Sequence, residues 1–181
     1  DLNVPIHLPL GLAFDPNVAG QMYVSAVSTG SGLPGVYPVR NLSSGHPTLD
    51  SSLVNQTGLN YYGITFANTV LYAVNQPSQV LMTGSTPISL IGSPTGLLSA
   101  NSYVYVTRNA VTGTGADLSG VKKVNANTQE VTNFASSALF NRPNAIVVNA
   151  ATGDFYVANS GTPGDATSGR VLKVSADGLT V

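Results

Sequence analysis

The residues of this chain that could carry chemistry are few and widely spaced. Its two histidines, His7 and His46, each stand alone, and there is no cysteine. The lack of cysteine removes disulfides, thiolate metal sites, covalent haem attachment and cysteine nucleophiles together. Isolated histidines of this kind read as loop or linker residues. The eight acids are Asp1, Asp15, Asp50, Asp117, Glu130, Asp154, Asp165 and Asp177. Asp15 and Asp154 flank hairpin turns, and Asp177-Gly178 is itself a turn signal. No two acids form the close carboxylate pair that glycoside hydrolysis needs. Asp117 and Asp165 fall in long polar loops, where calcium is conceivable but plain solvation is the usual use. Ser119-Gly120-Val121-Lys122 has S-x-x-K spacing, yet that arrangement opens a helix and Lys122 lies in a strand run. There is no G-x-S-x-G elbow and no glycine loop leading into a helix that would cradle phosphate.

Three polar residues end apolar runs: Asn75, Arg108 and Asn159. The two asparagines could offer side-chain carbonyl oxygens to a hard cation or a ligand. Neutral oxygens alone bind divalent ions weakly, and Arg108 would repel one. Their alternative use is to cap strand ends and satisfy loop backbone. Tyr61-Tyr62, just before Gly63, would offer a stacking surface for sugar or peptide if exposed at a rim. Asn41-Leu42-Ser43 and Asn55-Gln56-Thr57 are N-glycosylation sequons, so Asn41 and Asn55 are candidate acceptors.

Composition narrows the function classes. Hydrophobic residues make up 43% of the chain, enough for a core, while charged residues make up 8%, against roughly 25% in an average soluble protein. The surface is therefore built from Ser, Thr, Asn, Gln and Gly. The net charge of −1 leaves little self-repulsion, so close packing against itself or other surfaces is tolerated. Seven scattered basic residues form no phosphate-binding stripe, which argues against nucleic acid. No apolar run approaches the ~18 residues of a spanning helix. The chain opens on Asp1, which reads as a processed form or a fragment.

The elements that must position these residues are strands. Glycine (19) and proline (11) punctuate short runs rich in Val, Leu, Ile and Tyr, an all-β pattern. The clearest stretch is 143–161, PNAIVVNAATGDFYVANSG, two apolar runs around a polar turn, hence a β-hairpin. Weaker copies recur. Gly11, Gly63, Gly96 and Asn144 take one shared place in them, at intervals of 52, 33 and 48 residues. Each copy has a tyrosine in its second strand, Tyr23, Tyr72, Tyr105 and Tyr156, which suits core packing. VKKVNAN at 121–127 aligns with VLKVSAD at 171–177. Four strands per unit at a period of about 40–50 residues indicate propeller blades. The expectation is one all-β propeller domain over 1–181, with blades at 9–58, 59–92, 93–137 and 138–181. It would be either a small closed propeller or part of a six- or seven-bladed one. The last blade lacks most of a fourth strand, and segment 1–8 could fill that gap, in the same chain or in a neighbour.

The pattern P-x-G, apolar run, turn, Y-V-A-N, polar loop, V-L-K-V, D-G resembles the NHL-repeat and YVTN-type β-propellers. Tyr156-Val157-Ala158-Asn159 and Tyr105-Val106-Thr107-Arg108-Asn109 carry it best. The resemblance implies a secreted or surface-exposed propeller. Two enzyme classes of the family set a comparison. Amidating lyases use several tunnel histidines for zinc, more than this chain has. Lactonase-like members hold an axial calcium with Glu, Asn and Asp, whereas no carboxylate stands beside Asn75, Arg108 and Asn159 here. The expectation is a non-catalytic, self-assembling or partner-binding scaffold with no cofactor. The alternatives are a metal-assisted hydrolase or lyase and a carbohydrate-binding propeller.

Overall fold

The structure is a computed structural model that describes residues 8–27, 34–49, 60–90, 92–110, 119–165 and 167–181. It divides into two compact units, Asp1–Ile88 and Ser89–Val181. In the first, β1 (Pro9–Phe14), β2 (Met22–Ala26), β3 (Gly35–Arg40) and β4 (Thr48–Leu49) form one antiparallel sheet in that order. β5 (Tyr61–Ala67), β6 (Val70–Asn75), β7 (Val80–Thr83) and β8 (Thr86–Ser89), which ends at the unit boundary, form another. In the second unit, β9 (Ser93–Ala100), β10 (Tyr103–Asn109), β11 (Gly120–Asn125) and β12 (Val131–Ser136) make a third sheet. β13 (Pro143–Val148), β14 (Phe155–Asn159) and β15 (Arg170–Val174) make a three-stranded fourth. The fold class is thus all-β, as the strand pattern indicates. The remainder of the fourth strand expected near 49–54, and residues 1–7 of the expected closing strand, lie outside the described residues.

Turn chemistry explains the hairpins. Asn68-Thr69 and Asn101-Ser102 are two-residue loops with φ of 47° and 66°, and 50° and 61°. Positive φ at both central residues is the I′ geometry that matches strand twist, and asparagine tolerates it better than most residues that carry a side chain. The 149–154 turn closes differently. Asn149 Oδ1 accepts the Ala151 N–H (2.9 Å) and the Asn149 carbonyl accepts the Gly153 N–H (2.8 Å), with Gly153 at φ 77°.

The first two strands of every sheet share one register. Pro9 pairs with Ala26, Tyr61 with Asn75, Pro94 with Arg108 and Pro143 with Asn159. Each hairpin then loses one residue to a bulge, and Ala13–Tyr23, Thr65–Tyr72, Leu98–Tyr105 and Val147–Tyr156 face each other. The four repeat tyrosines are therefore equivalent. Asn144 is not the equivalent of Gly11, Gly63 and Gly96. Counting from the paired Pro143, that place belongs to Ala145, one residue further on, because the bulge begins at the proline.

A close approach of sheets fixes both units. A Cβ on Gly11 would stand 2.8 Å from Ser25 Oγ and 3.2 Å from the Tyr62 carbonyl oxygen of the next sheet. A Cβ on Gly96 would stand 2.3 Å from the Asn144 carbonyl oxygen and 2.9 Å from Thr107 Oγ1. Ser25 donates to the Tyr62 carbonyl (3.2 Å), and Thr107 reaches the Asn144 carbonyl (3.5 Å) and accepts the Gly96 N–H (2.7 Å). The same device, a first-strand glycine and a second-strand hydroxyl facing the next sheet's bulge carbonyl, thus operates twice.

Each unit buries its core between its two sheets. In the first, Val36, Tyr61, Ile64, Ala73 and Met82 pack together, and the Tyr23 and Phe66 rings are 5.5 Å apart. In the second, Tyr105, Phe134 and Phe155 form an aromatic cluster with centroids 4.6 to 4.9 Å apart.

Burial, the first cause at each, raises the pKa of Tyr23, Tyr37, Tyr61, Tyr72 and Tyr105 above 10.0. The unfolded chain ionises first, so this contribution to stability is complete below pH 10 and is lost as pH rises through the raised folded values. Tyrosinate absorbance is therefore expected to rise together with loss of the β circular-dichroism signal. Smooth ionisation of all tyrosines in a chain that stays folded would contradict it.

Candidate functional site

The candidate ligand residues Asn75, Arg108 and Asn159 occupy one repeated register position, paired with the first residue of the neighbouring hairpin run or its equivalent. Ala26 holds that place in the first sheet. All four are buried. Asn75 Oδ1 accepts the Ser78 N–H (2.9 Å), capping the loop between β6 and β7. Asn159 Nδ2 donates to the Leu139 carbonyl (2.9 Å), tying β14 to the segment ahead of β13. Arg108 is an almost fully buried cation whose guanidinium lies against Gly92. A Cβ there would sit 2.9 Å from Arg108 Nη1 and 2.6 Å from the Asn109 carbonyl oxygen, at a φ of 119°. One polar atom of each asparagine is left without a protein partner, Asn75 Nδ2 and Asn159 Oδ1, and Asn109 Oδ1 is a third such atom. The position supplies amides and one guanidinium, and none of its residues can act as nucleophile or general base.

The tyrosine pair divides. Tyr61 is not exposed at a rim: it is 0% exposed, its side chain part of the core between the first two sheets. The physical reason is positional, since Tyr61 takes the register place that Pro94 and Pro143 take in their hairpins, where both are buried. Its hydroxyl is buried without a protein partner. Tyr62, the next residue, is half-buried and contributes its backbone carbonyl to the Ser25 contact.

The remaining candidates are scattered. Exposed His46 lies beyond the 3-10 turn Leu42–Ser44, its N–H bonded to Ser44 Oγ (3.2 Å). Exposed Asn41 adopts φ 60° and donates to Thr48 Oγ1 (3.2 Å). His7, Asn55, Asp50 and Asp117 lie outside the described residues. Lys122 Nζ donates to Asn133 Oδ1 (2.6 Å), and Ser119 Oγ accepts the Ala110 N–H (3.0 Å), so each serves structure by itself. Asp165 accepts from the Thr167 hydroxyl (2.7 Å) and N–H (2.9 Å), and these bonds lower its pKa. Asp154 is lowered chiefly by the Lys173 ammonium 2.8 Å away. Among the described residues no three histidines or acids gather as a metal-binding group, and no helix is long and apolar enough to cross a membrane.

One polar network was not foreseen. Gln21, buried, donates from Nε2 to Asp15 Oδ2 (3.0 Å) and to the Tyr23 hydroxyl (2.9 Å). Gln21 ends no apolar run, so strand-end polarity does not mark it.

No protein-family model and no curated protein matches the chain. A solved structure described as a nidogen/laminin complex does. One of its chains superposes with a TM-score of 0.69 at 16% identity, over 96% of this chain and 67% of that one. The fold is that of a β-propeller. Identity this low carries architecture alone. It gives the propeller sheets their meaning as blades and leaves the repeated Asn/Arg position to be interpreted from its own bonds.

Proposed function

We propose that the chain is a non-catalytic propeller scaffold of NHL or YVTN type that acts outside the cell, through self-association or a protein partner. One observation carries this. At the repeated position where a propeller enzyme would need chemistry, Asn75 and Asn159 are spent on loop backbone and Arg108 is a buried cation. The weak surface charge favours contact with other surfaces. The structural neighbour, by its description, is part of a complex between proteins. The exposed sequon asparagine Asn41 fits an extracellular setting. Terminal strands supply one route to association. Among the described residues β15 edges its sheet, and Val181 holds the place of Val131, the first residue of β12. The Ser175 N–H bonds the Thr180 carbonyl as the Asn125 N–H bonds the Glu130 carbonyl, both at 2.9 Å. Segment 1–8 would add along β15 as β12 adds to β11.

The test is thermal melting, sedimentation and turnover of a lactone and ester panel, with calcium or chelator, for the full chain and for a variant lacking 1–8. The expected result is no turnover, a melting temperature indifferent to calcium, and a lower melting point or smaller assembly for the truncated chain. Turnover abolished by chelation would overturn the scaffold reading. A truncated chain identical in melting and mass would remove the strand-addition route.

A further inference from the structure

We infer that the second unit holds a binding site for an acidic peptide segment of a protein partner, at the strand ends where Arg142, Asn159 and Arg170 stand side by side. This rests on the scaffold reading above and names one surface and the chemistry it would take. Asn159 pairs with Pro143 on one side and with Arg170 on the other. Arg142 precedes that proline, and its carbonyl accepts the Ser160 N–H (3.0 Å). The two arginines thus flank the end of β14, their backbones two strand spacings apart, about 10 Å. Directly opposed residues of an antiparallel pair share a face, so the Arg170 side chain lies on the same face as that of Asn159.

The unit's other bases are engaged. Arg108 is buried. Lys122 Nζ donates to Asn133 Oδ1, Lys123 Nζ lies 3.9 Å from the centroid of the Tyr103 ring, and Lys173 bridges Asp154 at 2.8 Å. Arg142 and Arg170 are exposed, and among the described residues neither side chain has an ion-pair or hydrogen-bond partner. The acids stand elsewhere. Glu130 precedes β12, Asp154 precedes β14 and Asp177 follows β15, all at the opposite strand ends. Asp165 shares the arginine end, but its Oδ1 accepts both the Thr167 N–H and the Thr167 hydroxyl, which turns the carboxylate into its own loop. Asp117 lies outside the described residues. In a chain with 8% charged residues, two unengaged guanidiniums beside one strand end are a local excess of positive charge.

Between them, Asn159 is 5% exposed and its Oδ1 has no partner, while its Nδ2 is fixed on the Leu139 carbonyl. The place therefore offers two cations and one acceptor that lacks a donor. An inorganic oxyanion answers the guanidiniums and leaves Asn159 unmet. A peptide answers both. The guanidinium fork takes a carboxylate through two parallel bonds, and every residue but proline carries a backbone N–H to donate. In an extended segment, acids two residues apart point to one side about 7 Å from each other, a spacing that two long side chains set about 10 Å apart can follow. Because the asparagine oxygen is covered, the carboxylate contacts carry most of the affinity. Asn159 supplies the preference for a ligand that also donates.

Fluorescence anisotropy at low salt tests this with the full chain and a labelled, capped peptide carrying two glutamates two residues apart. Its glutamine counterpart, inorganic sulfate and a polyuronate serve as competitors. Arg142→Gln and Arg170→Gln replace exposed side chains that bond nothing, so folding is not at stake, and Lys173→Gln removes the same charge at the opposite strand ends. The glutamate peptide is expected to bind, to weaken on the order of fivefold with each arginine variant, and to weaken as salt screens the charges. Lys173→Gln should bind like wild type, and the glutamine peptide should not compete. No binding, or an equal loss in Lys173→Gln, would overturn the inference. Sulfate or polyuronate that displaces the peptide at lower concentration than unlabelled peptide does would overturn the assignment to a peptide. A chain without turnover that fails to bind the peptide loses this inference alone, whereas chelator-sensitive turnover would defeat the scaffold reading whatever the arginines bind.

Discussion

Gly96→Ala is expected to destabilise the chain by about 3 kcal/mol, at the upper end of what overpacking costs. The new methyl would meet the Asn144 carbonyl oxygen at 2.3 Å and the Ala145 Cα at 3.0 Å, both backbone. Neither can swing aside as a side chain can. The two sheets of the second unit would have to part along β9 and β13. That movement would also stretch the bond from the Thr95 hydroxyl to the Pro143 carbonyl, now 2.7 Å, and Thr107 Oγ1, 2.9 Å from the added carbon, would lose its place between strands. Gly11→Ala supplies the comparison. Its closest encounter is the Ser25 hydroxyl at 2.8 Å, with the backbone atoms of Tyr62 and Ile64 at 3.2 and 3.1 Å. A serine hydroxyl can rotate, so about 1 kcal/mol is expected there, near the low end of the overpacking range. Urea denaturation at constant m measures both. Equal costs at the two glycines, or none at Gly96, would show that the close approach of backbone to glycine does not hold the second unit together.

How far these features were legible in the sequence follows from what each one depends on. The hairpins were legible because their turns are local: Asn68-Thr69, Asn101-Ser102 and the 149–153 loop announce themselves through residues that accept positive φ or bond their own backbone. The tyrosine repeat was legible because the same side chain recurs at the same place. The glycine and hydroxyl device was not, because its acceptors are backbone carbonyls of another sheet, and a carbonyl has no residue type. The condition set for Tyr61, exposure at a rim, fails for a related reason. Its neighbours Tyr62 and Gly63 suggest an exposed aromatic pair, while its burial goes with the register place it shares with the buried Pro94 and Pro143, visible only once the hairpin pairing is counted. Had the P-x-G motif been carried through the second unit, Tyr61 would have fallen in the proline place and Tyr62 in the variable one. Of the two uses the sequence offers Asn75 and Asn159, a ligand oxygen or a cap on strand ends and loop backbone, the bonds they make are those of the cap. Asn75, Arg108 and Asn159 do share one register position, but the loop groups they hold, at Ser78 and Leu139, carry no signal of their own.

Phe155→Ala is the second large effect, with an expected cost of about 3–5 kcal/mol. Phe155 begins β14, but its ring crosses to the neighbouring sheet. It lies 4.6 Å from the Tyr105 ring and 4.9 Å, edge to face, from Phe134, and it is almost fully buried. Truncation removes the group that two strands of the β9–β12 sheet, β10 and β12, both pack against. The lost transfer energy and the residual cavity add, because rings held by β-ladders on both sides cannot close in. Against a usual total of about 5–15 kcal/mol, this is enough to leave the second unit marginal. Phe155→Leu separates the causes. It keeps an apolar group in the gap and forfeits the ring geometry, for which about 0.5–1.5 kcal/mol is the ordinary worth. The expected order in urea is wild type, then Leu, then Ala, with near-ultraviolet circular dichroism of the tyrosines diminished in the alanine variant before unfolding begins. An alanine variant that costs no more than the leucine one would mean that the cluster is not the joint between these two sheets. The β13–β15 sheet would then depend on Ile146, Val157, Leu172 and Val174, the aliphatic residues that share its core.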